Sequence, residues 1–113
     1  MKIAISSTGQ KINDKIDDVF ARCPYFIIVE IKDDKIEKTE SLKNESVEQI
    51  GGAGISTAKL MAEKGVEAVV AGNVGPRASE VLAQFNIKVY QASGTVEQAI
   101  QDFIDNKFEE VKK

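Results

Sequence analysis

The sequence predicts an α/β domain in which a mixed sheet is flanked by helices. Three observations predict it. A strongly β-prone run, Tyr25 to Ile31, is followed across Asp33-Asp34 by a second, half-polar stretch. From Gly51 onward the apolar spacing alternates between helical and strand-like. Gly, Pro or Asn marks most of the changes. The resulting order, β-β-β-α-β-α-β-α, sets an antiparallel hairpin beside strands joined by helical crossovers.

Lys2 to Ser6 reads as a short buried strand, apolar and partly β-branched, that ends in the polar segment Ser6 to Gln10. In residues 11–20, Ile12, Ile16, Val19 and Phe20 recur at helical spacing among aspartates, so a turn or a brief helix is expected. Pro24 sits where a strand begins, a position that lacks a ladder donor at no cost. The strand after Asp33-Asp34 runs from Lys35 to Leu42. Ile36 and Leu42 are expected on one face and Lys35, Glu37 and Thr39 on the other, as on a half-exposed edge.

The first helix is expected over 54–64, with Ile55, Ala58, Met61 and Ala62 inward and Gly65 as its left-handed stop. Glu67 to Ala71 is a short apolar strand. Pro76 suits the first position of the next helix, whose stripe is Ala78, Val81, Leu82 and Phe85 and whose end is Asn86. Ile87 to Gln91 forms the fifth strand. Thr95-Val96-Glu97-Gln98 has the pattern of a capping box, and Val96, Ala99, Ile100, Phe103 and Ile104 face inward along the last helix. Glu109 to Lys113 is expected to fray.

At 113 residues one domain, spanning 1–113, is expected. With 42% apolar and 29% charged residues the composition is that of a folding globular chain. Fifteen Lys and Arg against eighteen Asp and Glu, interleaved, give a net charge of -3 and no basic stripe, so nucleic acid is not an expected partner. No stretch approaches the roughly 20 apolar residues of a membrane span, and the start lacks the apolar core of a secretion signal. A cytoplasmic protein without a membrane partner is expected. The single cysteine, Cys23, excludes an intrachain disulfide, and the lack of any histidine excludes Ser-His triads and histidine acid-base pairs.

Four segments then occur together: Phe20-Ala21-Arg22-Cys23-Pro24-Tyr25-Phe26, Gly51-Gly52-Ala53-Gly54-Ile55, Ala71-Gly72-Asn73-Val74-Gly75-Pro76 and Gly94-Thr95-Val96-Glu97. In order and spacing they resemble the dinitrogenase iron-molybdenum cofactor family, the domain of NifX-like and NafY-like proteins and of the C-terminal part of NifB-like proteins. The resemblance runs from Lys2 to Phe108. It implies a ribonuclease-H-like three-layer fold with a five-stranded mixed sheet, order 3-2-1-4-5, strand 2 antiparallel. It also implies binding of an iron-molybdenum cofactor or iron-sulfur cluster precursor and its delivery to a cofactor-receiving or cofactor-assembling protein. Many family members carry histidine just before the residues matched by Phe20 or by Gly51 and Gly52. Here those places hold Val19 and Ile50, so a histidine ligand is absent.

The residues able to serve such a cargo are few. Cys23 is the candidate metal ligand and Arg22 beside it a candidate anion partner. A protein-held cluster needs about four thiolates or their substitutes, so one Cys23 implies a shared or labile site, on a monomer or weak dimer. Gly51, Gly52 and Gly54 lead into a helix whose amides suit an anion, although the Lys-Ser/Thr of a P-loop is missing. Gly72, Asn73 and Gly75 follow a strand and precede a helix, where open α/β sheets place ligands. A crevice between that loop and Ser6 to Gln10 is the expected site. The glycines can equally serve their turns alone, and Cys23 can be a small buried hydrophobe. A carrier without catalytic activity is the expected function; the alternative is a module of the same fold that binds a small anion or regulates. Lys2 to Ser6 carries no carboxylate, which argues against a two-metal nuclease.

Overall fold

The computed structural model describes residues 1–45 and 52–107. Its elements are β1 (Lys2–Ser7), β2 (Tyr25–Lys32), β3 (Lys35–Lys43), α1 (Ala53–Glu63), β4 (Ala68–Ala71), α2 (Pro76–Gln84), β5 (Lys88–Gln91) and α3 (Val96–Ile104). The strands form one sheet in the order β3-β2-β1-β4-β5. β2 runs antiparallel to both β1 and β3, while β1, β4 and β5 are parallel. These are the order and directions that the resemblance implied.

Because side chains alternate along a strand, each strand supplies both faces of the sheet. Ala4, Phe26, Ile28, Val69, Ala71 and Val89 pack with Ala58, Met61, Ala78 and Leu82 of α1 and α2. Ile3, Ile5, Ile27, Val29, Ile31, Ala68 and Val70 pack instead with Val96, Ala99 and Ile100 of α3. Three layers result, with β1 at the centre. Both faces of β1 and β4 are covered, which is why these strands read as continuous apolar runs.

Helix ends follow local chemistry. Gly65 has φ +75°, its amide bonds to Ala62 O and the Val66 amide to Met61 O, a two-bond stop that closes α1. Asn86 (φ 60°) and Asn106 (φ 56°) end α2 and α3 in the same manner. Thr95 caps α3, its Oγ1 accepting from the Gln98 amide at 3.1 Å. The Gln98 side chain donates to Asp102.

Residues 11–20 take the turn form of the two expected, held by bridges from Ser7 to Ile16 and from Lys15 to Thr95. Three expectations need correction. Ile36 and Leu42 do not share a face. A bulge at Glu30/Ile31 sets Ile36 opposite Ile31, on the α3 side, and Leu42 opposite Phe26, on the α1 and α2 side. β3 is also more exposed than half: only Leu42 is partly buried. Phe85, expected inward, is 49% exposed at the C-cap of α2. The expected tail, Glu109 to Lys113, lies outside the described residues, as do Ile50 and Gly51.

Candidate functional site

Both α1 and α2 begin at the end of the sheet where the parallel strands β1 and β4 finish. Between their first turns and the chain segment 19–22 lies a cleft of about 390 Å³. It is lined by Val19, Phe20, Ala21 and Arg22, by Gly52, Ala53 and Gly54, and by Gly75, Pro76, Arg77 and Ala78. Of the residues expected from sequence, Arg22, Gly52, Gly54 and Gly75 therefore meet in one place.

The first turns of α1 and α2 carry no acidic residue, and neither helix has a side-chain cap. Their leading amides and the positive ends of their dipoles face a lining that also includes Arg22 and Arg77. Among the described residues the lining contains no carboxylate, thiol or imidazole, and no three Asp, Glu or Cys side chains gather as a metal site would require. The described lining can attract an anion and hydrogen-bond to it; it offers nothing to coordinate a bare metal ion.

Cys23 stands apart from this lining. It is fully buried, packed with Phe20 and Phe26, and its S–H donates to Phe20 O at 3.2 Å. Burial pushes its thiol up from 9.0 to about 12; the Ser7 amide opposes the rise and the charge of Asp17 adds to it. The thiolate that a metal needs is thus disfavoured. Asn44, also buried, fixes the turn: its Nδ2 donates to Cys23 O at 2.8 Å and to Ala21 O at 3.0 Å. Sequence gave no sign of this role for a lone Asn after an edge strand.

Gly72 and Asn73 are likewise outside the cleft. A Cβ on Gly72 would lie 2.7 Å from Asp18 Cα, and its amide donates to Asp17 O at 3.1 Å. The Phe20 amide donates in turn to Asn73 O at 3.0 Å. Both residues serve a close backbone approach that holds the 17–20 segment against the end of β4. That segment is bonded at Ser6 O by the Asp17 amide, so the crevice expected between the 71–76 loop and Ser6 to Gln10 is replaced by one with residues 19–22. Arg77, not foreseen, completes the lining. An exposed Arg in the first turn of a helix looks like any surface cation until α1 and the 19–22 segment are placed beside it.

The family model of the dinitrogenase iron-molybdenum cofactor family matches residues 1–106. The chain belongs to that family. Among curated relatives of this dinitrogenase iron-molybdenum cofactor family protein is an uncharacterised protein of Methanocaldococcus jannaschii. It is 36% identical over 110 residues, covering 96% of this chain and 90% of the relative. The apo form of the orange protein from Desulfovibrio gigas superposes with a TM-score of 0.90 at 31% identity, covering 97% of this chain and 92% of that one. A NifB-like protein of the DUF35 family from Thermotoga has a TM-score of 0.84 at 34% identity, covering 99% and 94%. No helix among the described residues is long and apolar enough to cross a membrane.

Proposed function

We propose that this protein carries a preformed, anionic metal-sulfur cluster, an iron-molybdenum cofactor or iron-sulfur precursor, in the cleft between α1 and α2, and passes it to a cofactor-assembling protein without catalysing a reaction. The observation that carries the reading is the convergence of Arg22, Arg77 and the first turns of two uncapped helices on one cleft of about 390 Å³ whose described lining has no coordinating side chain. A cargo held there keeps its own sulfide ligands and is retained by charge and amide hydrogen bonds, not by protein-metal bonds. The family membership supports a cofactor-related role. Cys23 in this reading is a packing residue of the turn that presents Arg22.

The lack of any ligating group in the described lining also favours the second reading, a small-anion module. One experiment separates them. An anaerobic titration with a synthetic four-iron four-sulfur cluster bearing water-soluble thiolate ligands is followed by visible absorption and gel filtration. One cluster per chain is expected, weakening with added salt because the contacts are ionic. Arg22→Gln and Arg77→Gln should each weaken binding by about 10- to 100-fold, the range for a lost charged hydrogen bond. Binding untouched by both substitutions, or none at all, would sink the carrier reading.

A further inference from the structure

The chain's own packing accounts for two of the three described glycines that line the cleft. Gly52, at φ 67° and ψ 7°, is left-handed, a conformation that side chains disfavour. Gly54 lets the helices approach, since a Cβ there would stand 3.2 Å from the Ala78 Cβ. Gly75 has neither reason. Its φ of -62° and ψ of 160° are ordinary for any residue that precedes proline. A Cβ built on it meets no described protein atom within 4 Å, and Gly75 is itself one of the residues that line the cleft.

Residue 75 is moreover the N-cap of α2, where Ser, Asn or Asp would accept a helix amide and stabilise the fold. α3 uses that device through Thr95, but α2 has no side-chain cap. A capping side chain is therefore missing from a position on the wall of the cleft that has open space in front of it. The volume indicates what the opening accommodates. About 390 Å³ equals the bulk volume of roughly a dozen waters, far more than one tetrahedral oxyanion requires.

Resting on the carrier reading, we propose that Gly75 is the specificity-determining residue of the cleft: its missing side chain admits a polynuclear cluster to the α2 amides, and any larger residue restricts the cleft to mononuclear anions. Wild type, Gly75→Ser and Gly75→Leu are each titrated with the thiolate-ligated four-iron four-sulfur cluster and, by calorimetry, with molybdate, and their thermal unfolding is recorded. Gly75→Ser should melt at or above the wild-type temperature. Both variants should keep molybdate affinity within about twofold, while cluster affinity falls stepwise with side-chain size, by at least about tenfold in Gly75→Leu. Unchanged cluster affinity in Gly75→Leu overturns the assignment and leaves the carrier reading intact. A lower melting temperature in Gly75→Ser overturns it too, because the glycine would then be needed by the fold. Wild type that takes molybdate but no cluster removes both the assignment and the carrier reading in favour of the small-anion module.

Discussion

Gly72 and Gly75 belong to one loop and look alike in the sequence, yet only one is enclosed by protein. The Cβ of an alanine at 72 would press on the Asp18 backbone, at 2.7 Å from Cα and 3.0 Å from O, and backbone cannot rotate away. Gly72→Ala should therefore cost about 1–3 kcal/mol, the usual penalty of overpacking. A denaturant midpoint equal to wild type would show that the 17–18 segment yields freely. The sequence marks both positions as turns but carries no information on which neighbour arrives there. That is why the pair could be found from sequence and its division of labour could not.

At the scale of elements, the signals that were legible are those decided within a few residues. Gly65 ends α1, Pro76 opens α2 and Thr95 caps α3, each through groups within a few residues in sequence. Asn86 is the sharpest case, because it holds φ 60° while its amide and that of Ile87 close α2 on Ala83 O and Leu82 O. Asn tolerates this region better than other side chains, so Asn86→Ala should destabilise by about 1–2 kcal/mol and Asn86→Gly should not. Chemical denaturation of the two variants checks it; equal losses would mean that the asparagine side chain, not its backbone, matters. What the elements concealed depended on a partner strand. The faces of Ile36 and Leu42 parted because β2 and β3 are one residue out of step at Glu30/Ile31, and no period along β3 alone reveals a bulge.

For the molecule as a whole, the fold was readable because hydrophobic period and crossover order leave few alternatives. The cleft was readable only in part. Arg22, Gly52, Gly54 and Gly75 fell in segments recognisable as turns, whereas Arg77 acquires meaning from packing between distant segments. Cys23 shows the opposite outcome: residue type suggested a metal ligand, and enclosure by the core changed its chemistry. A thiol whose folded value is raised from 9.0 to about 12 binds its proton more tightly folded than unfolded. Its stabilising contribution is full below about pH 9 and is lost as pH rises toward 12. Wild type should accordingly lose more unfolding free energy than Cys23→Ala between those values. Parallel pH profiles for the two proteins would show instead that the thiol is not held protonated by the fold.

The ties between residues 17–20 and 72–73 set a timetable as well as a shape. Two walls of the cleft, the 19–22 segment and the start of α1, are translated well before the third, which is the first turn of α2. The Asp17–Gly72 and Phe20–Asn73 hydrogen bonds that hold the first wall in place also wait for that later segment. A nascent chain that has not yet released Ala78 from the ribosome thus has Arg22 but no cleft for it to face. On the carrier reading proposed above, a chain holds cargo only once it has been translated through α2, so chains shorter than that do not take it up.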